Sequence, residues 1–345
     1  MKKYLIFALF IAVLLVPPCF VAAQTAASAE ANAEVSAEDE LSIAAAKTEE
    51  ARKKANDFEG FLYFPGEWEA AEAEYAVARE ENSLDEYNIA TDTFNSIFEL
   101  AILLYAQARE DEIMALRNDL VNAGARNSFP EYFTPADEAA LAALSQYEAK
   151  DYYTARDSAA QALEMYEVLT SAYAAWLVRQ EIREREFESY DPDNFDRAGE
   201  VISEAIGLYT AGDNAAALEK AEDALLRYHL VLSTGWAGYA ELQSSLTADE
   251  RQAALDIKAN IAARDLFLEA DSSYKEAAAS LYDSKDYEEA AKQFMYAAAL
   301  FSISAANTAE KRDIAAEAIA EANKKIQESD ETARQAEILL KGGTR

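Results

Sequence analysis

The chain is 345 residues long, with 31 Lys and Arg against 64 Asp and Glu, a formal net charge of −33, and a single His and a single Cys. Charge of this sign, with no basic cluster to oppose it, excludes nucleic acid and anionic lipid headgroups as partners, and the Cys and His content supplies neither a disulfide framework nor a Cys/His zinc site. Ten Gly and six Pro are too few to turn an all-β chain, and an apolar fraction of 51% that is rich in Ala predicts an all-α protein.

The N-terminus reads as a secretory signal over 1–23. Lys2 and Lys3 form the basic region, Leu5 to Val16 the apolar stretch, and Val21-Ala22-Ala23 the small-residue site, which predicts cleavage between Ala23 and Gln24. A second reading makes Cys19 a lipidated first residue and tethers the protein to a membrane; Val16-Pro17-Pro18 just before it argues against this. No further stretch reads as long and apolar enough to span a bilayer after the leader. Residues 24–40 are small, polar and without apolar period, and predict a disordered linker.

Over 41–306 one pattern recurs four times. An aromatic is followed by Ala three residues later and a core-type residue four after that: Trp68-Ala71-Tyr75, Phe133-Ala136-Ala140, Phe195-Ala198-Ile202 and Phe267-Ala270-Tyr274. About eighteen residues beyond each aromatic an acidic residue and then an Ala open a second helix, at Glu86/Ala90, Asp151/Ala155, Asp213/Ala217 and Asp286/Ala290. The aromatics lie 65, 62 and 72 residues apart. Within the first copy Tyr87, Ala90, Phe94, Ile97, Phe98, Ala101, Leu104, Tyr105 and Ala108 step by three and four, the helical period. Pro65, Pro135 and Pro192 fall near the unit starts, where their fixed φ suits a first helical turn. The repeated Trp68, Phe133, Phe195 and Phe267, with Ala90, Ala155, Ala217 and Ala290, are expected to pack the repeated core, the small Ala side chains letting helices approach closely. Residues 307–345 are rich in Ala, Glu and Lys, and Ile314, Ala318, Ala322 and Ile326 keep a helical spacing, which predicts a solvent-facing C-terminal capping helix and tail.

Phe195-Ala198-Gly199-Ile202 and Asp286-Tyr287 with Ala290-Phe294-Ala297 resemble the two halves of the tetratricopeptide repeat. The resemblance implies a solenoid of about four long helical hairpins, with units of 62 to 72 residues against the family's usual length of about 34. The segment Lys47-Thr48-Glu49-Glu50-Ala51-Arg52-Lys53-Lys54-Ala55 resembles treponemal membrane protein B, a spirochaetal envelope antigen. That resemblance implies an outer-membrane location and a porin or transport role, whereas the chain has no run of alternating strands for a barrel.

Candidate chemistry is sparse. His229 has no nucleophile signature around it, and its expected role is structural. Asp191-Pro192-Asp193-Asn194-Phe195-Asp196 lacks the Gly and Glu of a calcium loop and is expected to start a helix. Trp176 and Trp236 break the repeat register and are candidates to line a groove. Catalytic, cofactor and metal sites are therefore not expected. The reading is an exported, non-enzymatic envelope protein, periplasmic or associated with the outer membrane, that acts as a scaffold for another envelope protein. The alternative is a transport-associated component that binds a small or lipid-like solute in an aromatic-lined cavity.

Overall fold

A computed structural model describes residues 37–342, all of them helical or in short connections with no strand among them. Cys19, Ala23 and Gln24, and with them the leader and its cleavage, lie outside the described residues, as do linker residues 24–36. Twelve α-helices follow in chain order: α1 (Ala37–Asp57), α2 (Gly60–Tyr63), α3 (Pro65–Glu81), α4 (Leu84–Asn122), α5 (Ala125–Ser128), α6 (Pro130–Glu148), α7 (Tyr152–Glu184), α8 (Pro192–Ala211), α9 (Asn214–Asp256), α10 (Ala259–Ala262), α11 (Arg264–Ala279) and α12 (Tyr287–Gly342). A 3₁₀ turn (Phe187–Tyr190) precedes α8 and a π turn (Ser280–Ser284) follows α11.

The repeat is written in the backbone. The residues with positive φ in front of each one-turn helix or 3₁₀ turn are Glu59, Gly124, Glu186 and Lys258, spaced by the same 65, 62 and 72 residues as the aromatics. A second set, Asn82, Lys150, Gly212 and Lys285, ends each medium-length helix. Together these eight are all the positive-φ residues among those described. The last interval between the two sets is one residue longer than in the middle copies, and the π turn at Ser280–Ser284 takes up that residue.

Each copy is a packet of three helical segments: the end of one long helix, a medium helix, and the beginning of the next long helix. The hairpins of the sequence reading are thus each closed by a third element. The chain divides into two compact units, with the division at Ala101/Ile102 inside α4. The first unit holds one packet, in which Ala51 and Ala55 of α1, Ala71 of α3 and Ala90, Phe94 and Ile97 of α4 share a core. Trp68 stands edge-on to Phe94 with ring centroids 5.2 Å apart. The second unit holds three packets, with α6 on α7, α8 on α9, α11 on α12, and the long helices α7, α9 and α12 side by side.

Local chemistry explains the boundaries. Asp191 accepts a hydrogen bond from the Asn194 N–H at 3.3 Å and Pro192 occupies the first turn of α8, while Gly212 in the left-handed region ends it. Asp213 and Asp286 cap α9 and α12 in the same way. In the first copy the expected Glu86 does not cap: Ser83 Oγ accepts from the Glu86 N–H at 3.3 Å. The prolines that open medium helices are Pro65, Pro130 and Pro192, whereas Pro135 lies inside α6.

Four expectations are corrected. Residues 37–40, expected in the linker, form the first turn of α1, with Glu38, Asp39 and Glu40 favourably placed at the positive end of its dipole. The C-terminal segment is not a separate capping helix: α12 runs unbroken through it, because no Gly or Pro interrupts 287–341, and residues 309–341 are exposed throughout. Leu104, expected in the core, is exposed on α4. By length and composition α4 also carries a window apolar enough to cross a membrane, 28% of it buried, where none was expected.

Candidate functional site

The repeated residues sit as follows. Ala90, Ala217 and Ala290 are fully buried and Ala155 nearly so. Phe133 and Phe267 are buried, and Trp68 and Phe195 are half-buried at packet edges. Trp236 is core: it packs against Phe187 at 5.3 Å between ring centroids, with the Arg185 guanidinium 4.3 Å from its ring centroid. His229 is exposed on α9. Among the described residues no group of three or more His, Cys, Asp or Glu is placed to hold a metal ion.

Trp176 does line a recess. In the second unit a cavity of about 390 Å³ opens between α6, α7 and α8, within the size range of small-molecule sites. Medium helices α6 and α8 stand apart here, bridged by Tyr209, which donates from its hydroxyl to the Tyr132 carbonyl oxygen at 2.6 Å. Burial of the Tyr209 phenol, with the Asp137 carboxylate adding a smaller push, raises its pKa to about 12. Phe129, Tyr173 and Trp176 form the aromatic wall. Trp176 stacks on Tyr173 at 5.6 Å and 16° and meets Phe129 edge-on at 5.5 Å and 90°. Tyr173 is fixed in turn by donating to the Ala123 carbonyl oxygen at 2.7 Å. Ile202, Ala205 and Ile206 of α8 face this wall, with Ile206 and Ser203 exposed at the mouth.

One end of the cavity is polar. Arg179 is the single charged residue in its lining, and Tyr228, 1% exposed, reaches it from α9. The Arg179 Nε–H and the Tyr228 hydroxyl are both buried without a hydrogen-bond partner. The Arg179 guanidinium lies 5.9 Å from the Phe195 ring centroid, and it makes no ion pair among the described residues. Burial raises the Tyr228 phenol above its ordinary value, opposed by the charges of Arg179 and Arg183. Orphaned buried donors carry a cost of about 1–3 kcal/mol each, which a ligand that accepts from them would remove.

Sequence reasoning found Trp176 and missed Arg179. A signal existed: an Arg stands sixteen residues before each repeated aromatic, as Arg52, Arg117, Arg179 and Arg251. Three of these pair with a carboxylate twenty residues on, namely Arg52 with Glu72, Arg117 with Asp137 at 2.7 Å, and Arg251 with Asp271 at 2.8 Å.

Comparison with known proteins places limits on identity. A stretch of 147 residues, 42% of this chain, is 27% identical to Treponemal membrane protein A of Treponema phagedenis, and covers 42% of that protein. That protein is distinct from treponemal membrane protein B. No family model and no solved structure matches the chain.

Proposed function

We propose that the protein is a non-enzymatic envelope protein, exported by its leader, that binds a small, largely apolar solute in the cavity between α6, α7 and α8. The observation that carries this reading is the cavity itself, aromatic on one wall, aliphatic on the other and open at Ser203 and Ile206. Its repeat position next to a packed core supports binding over simple packing, since an empty volume of this size forfeits dispersion contacts that a closed core would make. The similarity to a protein named as a treponemal membrane protein supports the envelope location. Titration with the apolar dye Nile red tests the reading: the full chain is expected to bind one equivalent saturably, and Ala172→Trp, which fills the cavity, to bind at least about tenfold more weakly. Equal binding by the two proteins refutes it.

The exposed run of α12 favours a second role as a scaffold. Ile314, Ile319 and Ile326 are at least 58% exposed along a stretch in which every residue from 309 to 341 is exposed, and helices of this kind bury an apolar face against a partner. Deletion of 309–345 is expected to leave dye binding intact while removing a protein partner from cross-linked envelopes; cross-linking unchanged by the deletion refutes this role.

A further inference from the structure

The third packet lacks a carboxylate that the second one carries. In packet two Asp137 is the hub of a polar cluster: it accepts from Arg117 Nε at 2.7 Å and from the Tyr166 hydroxyl, and pairs with Arg126 at 3.2 Å. Packet three lies 62 residues on and keeps both donors, as Arg179 and Tyr228. At the position of Asp137 it has Gly199. A Cβ built at Gly199 would lie 3.8 Å from the Tyr228 hydroxyl, so the space held in packet two by a carboxylate is open in packet three. Glu188, which stands in the register of Arg126, does not fill the vacancy, and one of its own carboxylate oxygens is also buried without a partner. Gly199, Arg179 and Tyr228 all line the aromatic cavity.

We propose that the cavity takes an amphipathic carboxylate, whose carboxyl group occupies the place of the missing Asp side chain between Arg179 and Tyr228 and whose apolar body lies among Phe129, Tyr173 and Trp176. The inference rests on the solute-binding reading and supplies its ligand class. A carboxylate accepts from both orphan donors at once, and charge-assisted bonds of this kind are the stronger sort. The aromatic faces next to them bury an alkyl or aryl body without asking for further polar groups. Arg183, one turn beyond Arg179, has its guanidinium 5.8 Å from the Phe195 ring centroid and adds a second positive charge on this side of a chain that is otherwise strongly acidic. Local positive charge is what lets an anion approach despite the net charge of −33.

The test compares acids with neutral counterparts of the same body, decanoate with 1-decanol and 2-naphthoate with 2-naphthol, by calorimetric titration of the full chain. At least one acid is expected to bind about tenfold or more tightly than its neutral counterpart. Arg179→Met should remove that preference and leave the neutral compound's affinity unchanged. Gly199→Asp installs the residue that packet two already carries at this place, so it should fold, melt at a higher temperature than the parent and lose the acid. Acid and alcohol bound equally, or a preference that survives Arg179→Met, overturns the carboxylate assignment. Nile red bound with none of the four compounds bound also overturns it while leaving the cavity reading standing; failure of Nile red as well overturns both.

Discussion

Removing Asp137 tests whether the polar hub of packet two is held together as the geometry indicates. Its side chain is 21% exposed, Arg117 is 26% exposed, and the Tyr166 ring it faces is fully buried. Burial pushes the Asp137 carboxyl up, but the hydrogen bonds from Arg117 and Tyr166 and the charge of Arg126 outweigh that and hold it below the ordinary carboxylate value. In Asp137→Ala the Tyr166 hydroxyl is left buried without an acceptor, a cost of about 1–3 kcal/mol. The loss of the Arg117 pair adds about 0.5–1 kcal/mol once discounted for partial exposure. The better helix propensity of Ala returns about 0.5 kcal/mol. The expected net destabilisation is therefore about 1–3.5 kcal/mol, read as a lower midpoint of urea unfolding followed by circular dichroism at neutral pH. Asp157→Ala is the control, because its carboxylate is 70% exposed and pairs with the adjacent Arg156; it should shift stability by no more than about 0.5 kcal/mol. Equal effects of the two substitutions would refute the hub. Tyr166→Phe made in the Asp137→Ala background should cost less than in the parent, since the hydroxyl has already lost its acceptor.

Leu in place of the fully buried Ala90, Ala217 or Ala290 should cost about 1–3 kcal/mol by overpacking in the same unfolding assay, while Ala309→Leu on the exposed run of α12 should be neutral within about 0.5 kcal/mol. The raised phenol of Tyr209 contributes stability that is complete below the unfolded Tyr value of 10.0 and is lost as pH rises toward about 12; thermal melts between those values should fall more steeply for the parent than for Tyr209→Phe. Gly235→Ala should destabilise by about 1–3 kcal/mol, because a Cβ there would come within 2.5 Å of the Phe187 ring. The double variant with Phe187→Ala should cost clearly less than the two single effects added together, and simple additivity would refute the contact.

The long helices and their fourfold repetition are legible in the sequence because apolar residues at steps of three and four leave a strong periodic trace, and the spacings of 65, 62 and 72 recur in the backbone junctions. The junctions themselves are not legible. Glu59, Lys150, Glu186, Lys258 and Lys285 adopt the left-handed conformation without the Gly or Asn that usually announces it. Pairing each aromatic with the helix that follows it gives hairpins, and it hides the third segment, which arrives from the previous copy as the end of a longer helix. Trp236 breaks the register as Trp176 does, yet its environment is core, and nothing in the one-dimensional pattern separates the two. The site was hidden for a different reason: Arg179 is an ordinary member of its column, and what marks it is the residue absent at Gly199.

A repeat protein can vary its copies only if each change in volume is answered nearby, and the two middle packets show how this is done. Packet two places Tyr173 and Trp176 on its long helix and the small Ala125 and Ser128 on α5. Packet three, 62 residues on, has Gly235 and Gly238 on the long helix and Phe187 and Tyr190 on the 3₁₀ turn. A Cβ at Gly238 would come within 2.3 Å of the Tyr190 ring, so the aromatic mass has moved from one element to the other. The consequence is directional. Aromatic groups carried on the 3₁₀ turn pack against α9 in packet three, where Phe187 meets both Tyr190 and Trp236 edge-on. Aromatic groups carried on α7 instead pack against Phe129 ahead of α6, and together with Ile202, Ala205 and Ile206 of α8 they line a cavity. The exchange of large for small across one junction thus leaves the core of each packet intact and decides which junction stays open.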